Sequence, residues 1–144
     1  MPTVLRSALL LVALLALSGC GRFRKAKECE VLAKAVSGWL AKQPTPSGAS
    51  TEPKKLAAET RVTAQRYDDL DRELGALDIK SRDLVRRVAA YRKIATQSAH
   101  SLRDVADALE RDNFELARKK RVEFDETVKA EASLVAEINA ECRR

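Results

Sequence analysis

The sequence predicts an all-α fold: an antiparallel up-down four-helix bundle with coiled-coil-like packing, preceded by an N-terminal segment that is removed. Three observations point there. Charged residues make up 33% of the chain and aromatics only 4%, with five glycines and four prolines. This is a helix-forming composition, dominated by residues that lose little conformational freedom on entering a helix. Apolar residues recur at steps of three and four over long stretches. Turn-forming residues interrupt that rhythm in three places, which divides the chain into helices at about 25–42, 54–77, 81–111 and 113–142.

The first element is not part of the bundle. Arg6 precedes an uninterrupted apolar run from Ala8 to Leu17. A span of the bilayer needs about 20 apolar residues, and a run of about ten fits the core of a secretory signal. Leu17, Ser18, Gly19 and Cys20 come next, an aliphatic residue, two small ones and a cysteine. This quartet resembles the lipobox of bacterial lipoprotein signal peptides. The resemblance implies diacylglyceryl modification of Cys20, cleavage after Gly19 and acylation of the new amine. It divides the chain into a signal peptide (1–19), a lipidated tether (20–24) and a helical domain (25–144). The only cofactor-like group it implies is that covalent lipid. Gly21 stands where an aspartate resembles an inner-membrane retention signal, so the expected location is the periplasmic face of the outer membrane. Arg22, Arg24, Lys25 and Lys27 lie within a few residues of the lipid. There each basic group gains up to about 1 kcal/mol from anionic headgroups.

Helix 1 carries Cys29, Leu32, Val36 and Trp39 on one face, flanked by Ala33 and Leu40. Residues 43–53, with three prolines and a glycine, form a loop. Pro53 suits the first turn of helix 2. From Leu56 the seam runs Thr60, Thr63, Tyr67, Leu70, Leu74 and Leu77, then in phase through Leu84, Val88, Tyr91, Ala95, Ser98, Leu102, Val105 and Leu109. One continuous helix of about 80 Å, or two helices with a turn that keeps the register, both satisfy this pattern. Gly75, with Asp78 or Ser81 as an N-cap, favours the turn. Asp112-Asn113 makes the last break, with either residue able to cap helix 4. That helix reads Phe114, Ala117, Phe124, Val128, Val135, Ile138 and Cys142, with Leu134 on its flank and Arg121 and Glu131 interrupting it. Pairs at i, i+4 on the outer faces (Asp83–Arg87, Asp107–Arg111, Glu115–Lys119, Asp125–Lys129) support helix formation by a few tenths of a kcal/mol each.

Lipid on Cys20 leaves Cys29 and Cys142. The expected compartment is oxidising, which favours a disulfide between them over two free thiols. An up-down-up-down topology places the start of helix 1 and the end of helix 4 together, where those cysteines lie.

The chemistry-bearing motifs are few. The chain has one histidine, His100, with no metal-ligand spacing, so no metal is expected. No phosphate loop, nucleophile elbow or zinc-protease motif occurs, and no catalytic residues are expected. Net charge is +6, yet bases and acids interleave outside Arg22–Lys27 and Arg118–Arg121, which argues against nucleic acid as a partner. No small-molecule substrate is indicated. The expected function is a membrane-anchored periplasmic lipoprotein with a structural or protein-interaction role, its partner an envelope protein or the cell wall. The small residues Thr60, Thr63 and Ser98 offer a face for a partner helix. The alternative is a ligand-binding or sensor bundle with a pocket between helices lined by Trp39, Tyr67 and Tyr91.

Overall fold

The structure is a computed structural model. It describes the backbone of residues 3–42 and 51–144 and the side chains of 21–42 and 51–144. The lipobox side chains and most of the predicted 43–53 loop lie outside the described residues. Four helices account for the fold: α1 (Thr3–Ala41), α2 (Pro53–Gly75), α3 (Arg82–Glu110) and α4 (Phe114–Arg143). The first begins earlier than the sequence rhythm placed it. Its backbone is helical from Thr3 through the apolar run, whose leucines and alanines are themselves strong helix formers.

The break between α2 and α3 is real, so the in-phase seam belongs to two helices. Helix α2 stops at Gly75, and the Ala76 amide closes on the carbonyls of Arg72 and Glu73. A Cβ on Gly75 would meet the Arg92 guanidinium at 3.0 Å, so the missing side chain lets Arg92 lie across the end of α2. At the α3–α4 turn Asp112 adopts a left-handed φ of 53°, and Asn113 caps α4 by accepting from the Leu116 amide at 3.1 Å. Short polar side chains tolerate the first role and are preferred in the second.

The helices are neighbours in cyclic order, α1–α2–α3–α4–α1, with α2–α3 and α3–α4 the extensive interfaces. Successive pairs run antiparallel. Arg61 meets Asp107 and Asp68 meets Arg103 across α2–α3, while Tyr91 meets Glu131 and Asp104 meets Lys120 across α3–α4. The main core joins all four helices around Leu32, Leu70, Leu74, Tyr91, Leu102 and Phe124. A smaller cluster at the far end, built on Ala57, Ala106, Ala108 and Ala117 with Val105 and Leu109, contains no α1 residue. Among the described residues, every buried side chain lies between Glu28 and Ile138.

Several seam positions shift from their expected places. On α2 the buried residues include Ala57 and Ala64, while Leu56, Thr60 and Thr63 are half-buried. The threonine hydroxyls donate to carbonyls four residues back, Leu56 at 2.7 Å and Glu59 at 3.2 Å, and alanine is the smaller knob for a close helix approach. On α4 Leu134 is buried, whereas Phe114 is 56% exposed and Val128 sits at the edge. Ser98 is fully buried inside the bundle, so it offers no open face to a partner helix. The expected surface pairs also re-form. Arg87 reaches Glu137 on α4, Asp107 reaches Arg61 on α2, Asp83 pairs with Arg86, Asp125 with Arg121 and Lys129 with Glu126. For Arg87 and Asp107 a neighbouring helix takes the charge, while the other three re-pair within their own helix.

Candidate functional site at the bridged end of the bundle

The first turns of the α1 bundle segment, the α2–α3 connection and the last turn of α4 meet at one end. Cys29 on α1 is bonded to Cys142 on α4, with Cα atoms 5.8 Å apart and a sequence separation of 113. Antiparallel packing brings these two distant positions together, as the sequence predicts. One turn further out, Lys25 donates to Glu141 at 2.5 Å. That contact holds the Glu141 carboxyl below the usual carboxylate range.

Glu28 was not legible as a functional residue. It is buried, and its carboxylate accepts from the backbone amides of Ser81 at 3.0 Å and Lys80 at 3.2 Å. Ser81 is the N-cap of α3 by position, but its side chain makes no capping bond. A carboxylate from α1 instead takes the Ser81 amide, one of the donors at a helix start that lack an intrahelical partner, where the positive end of the α3 dipole also favours it. Burial pushes the Glu28 carboxyl up, yet the Ser81 hydroxyl, the two amides and Arg24 outweigh it and hold the group below its ordinary value. The only sequence signal was an acid one residue before a cysteine on the apolar face.

The basic residues expected at a membrane surface divide into two sets. Arg22, Arg24 and Lys27 are exposed, while Lys25 is half-buried in its bridge to Glu141. Lys25 therefore serves the fold. Arg24 also lies 3.8 Å from Glu28.

Below the disulfide an apolar cleft of about 230 Å³ opens between α1 and α4, lined chiefly by Leu32, Val36, Leu40, Val135 and Ile138. Of the three residues expected to line a pocket together, Tyr91 stands on the wall of this cleft, whereas Trp39 and Tyr67 pack against each other. The Trp39 and Tyr67 rings lie 5.2 Å apart, Tyr67 meets Phe124 edge-on at 6.0 Å, and all three residues of the expected lining are buried. Trp39 donates to the Arg66 carbonyl at 2.7 Å, and the Tyr91 hydroxyl donates to Glu131 at 2.8 Å. Of the two seam interruptions, Glu131 answers a buried phenol, and Arg121 lies over the Phe124 ring at 5.4 Å.

Among the described residues no group of histidine, cysteine, aspartate and glutamate is arranged to hold a metal, and no helix is long and apolar enough to cross a membrane. No protein-family model, curated protein or solved structure matches the chain, so its reading rests on these residues.

Proposed function

We propose that the chain is a lipid-anchored protein of the bacterial envelope, held by Cys20 on the periplasmic face of the outer membrane. In this reading it acts without catalysis, as a structural or protein-interaction module toward an envelope protein or the cell wall. The observation that carries the reading is the fate of the three cysteines. Cys29 and Cys142 satisfy each other across the bundle, and the remaining one stands at the end of a lipobox-like quartet. An exported, oxidising compartment accounts for the pair, and acylation accounts for the third. Two or three acyl chains at Cys20 hold a protein firmly, at about 0.8 kcal/mol per buried methylene. The bundle then projects along α3, whose 29 residues span about 44 Å.

Mass spectrometry of the protein extracted from membranes tests this directly. The expected species begins at Cys20 and carries a diacylglyceryl mass, and Cys20→Ala releases the protein from the membrane fraction. An intact precursor with an unmodified Cys20 overturns the reading. A second reading, a bundle that binds an apolar ligand, draws on the α1–α4 cleft. At about 230 Å³ the cleft falls below the ~300–1,000 Å³ of ordinary ligand pockets, which ranks it second. Saturable binding of a medium-chain fatty acid, lost in Val36→Trp, would promote it.

A further inference from the structure

The net charge of the bundle is confined to one end. Residues 21–28, 77–87 and 137–144, which meet around the disulfide, hold ten lysines and arginines against five acids. Residues 29–76 and 88–136 hold sixteen of each. The sequence shows only the first of these segments as a basic cluster. Folding adds the start of α3 and the end of α4 to it, so that Arg82 and Arg143 stand at the same end as Arg22 and Lys27. These four side chains are exposed and make no salt bridge among the described residues. Beside Arg22 and Arg24, Phe23 is 74% exposed, the highest value of the exposed large apolar side chains among the described residues. An aromatic ring flanked by cations is the composition of an interfacial anchor.

We infer that this end is a docking face for an anionic bilayer surface, formed by Arg22, Phe23 and Lys27 together with Arg82 and Arg143. The inference deepens the anchored reading and names what the lipid would hold the bundle against. From Cys29 back to Cys20 is about 13 Å along a helix. That distance is close to the Debye length of about 8–10 Å, so headgroup charge reaches the collar. The balanced remainder of the bundle gains nothing from the same field, which orients the long axis away from the membrane. An acidic protein or nucleic acid would also be attracted, but neither accounts for an exposed phenylalanine among the cations.

The test uses residues 21–144, which retain every buried residue of the described bundle and lack Cys20. Flotation is measured with vesicles of phosphatidylcholine alone and with roughly 30% phosphatidylglycerol, at about 0.02 and about 0.5 M salt. Binding is expected only to the anionic vesicles and only at low salt. Arg82→Glu with Arg143→Glu is expected to weaken it by at least about tenfold, and Phe23→Ser to weaken it at fixed charge. Lys34→Glu with Lys93→Glu, outside the collar, is expected to leave it unchanged. Helical circular dichroism confirms that each variant is folded. Equal binding to neutral vesicles, or wild-type binding by the Arg82/Arg143 variant, overturns the inference. So does retention on heparin without flotation. Because this chain has no Cys20, these outcomes are independent of the mass-spectrometric test of acylation.

Discussion

Tyr67 and Tyr91 are the two tyrosines of the sequence, and both are buried against α4. Burial foremost, and the nearby Glu131 carboxylate second, push the Tyr67 phenol up to about 12 and Tyr91 higher still. A phenol raised in this way stabilises the fold below its unfolded value of about 10 and loses that contribution as pH climbs toward the folded value. Ultraviolet titration is therefore expected to show no phenolate near pH 10 while the helices persist, and ionisation only as they melt. A tyrosine that titrates reversibly near pH 10 in the folded protein would show that the cluster is open to water. The sequence placed both rings on the seam but did not reveal what the hydroxyls needed. Glu131 looked like an interruption because its partner lies forty residues away on another helix.

Between elements, the telling contact is the one from α1 to the start of α3. Periodicity identified both helices, and the turn residues located the break between them. Local capping rules then expected Asp78 or Ser81 to close the new helix from its own side chain. Neither side chain makes that bond; Glu28, 53 residues away, instead accepts from the Ser81 amide at the start of α3. Charge-assisted bonds to backbone amides are worth about 1.5–3 kcal/mol, more than the ~1 kcal/mol of an ordinary cap. Glu28→Ala is accordingly expected to lower unfolding stability by about 2 kcal/mol at pH 7. The folded-state value of Glu28 is depressed, so its contribution is present above about 4.5 and lost as pH falls through the folded value. Urea melts of wild type and variant should converge in acid. A gap that persists undiminished near pH 3 would assign the effect to lost packing instead. The α4 seam carries the same lesson in apolar form. Helical spacing puts Phe114 on the seam and Leu134 on its flank, and packing reverses the order: Leu134 is buried and Phe114 exposed.

At the scale of the whole molecule, α1 is the element with the smaller interfaces, and the disulfide is its covalent tie to α4. Closing a loop of 113 residues stabilises a fold by about 4–5 kcal/mol in the chain-entropy model. That is a large part of the 5–15 kcal/mol typical of a domain. Reduction, or Cys29→Ser with Cys142→Ser, is expected to lower the urea midpoint by a matching amount. The loss should appear first in α1, as fading of the Trp39 fluorescence signature before the α2–α4 helices melt. A variant as stable as wild type would mean that the interhelix contacts alone hold α1.

Composition and the three-four rhythm by themselves determined that the chain is helical and roughly where its breaks fall, while leaving a single helix through the α2–α3 junction compatible with the pattern. They also placed Cys29 and Cys142 where an antiparallel bundle joins them. These are local properties, set by backbone entropy and by which residues recur on one face. Tertiary structure alone decided the rest: which alanines form the close α2 contact, that Glu28 accepts from an amide at the start of α3, that charges pair between helices, and that three separate segments make one basic end. Each depends on the rotation and distance of one helix against another. A one-dimensional pattern leaves those quantities free, because every seam residue satisfies the same period until a neighbour selects among them.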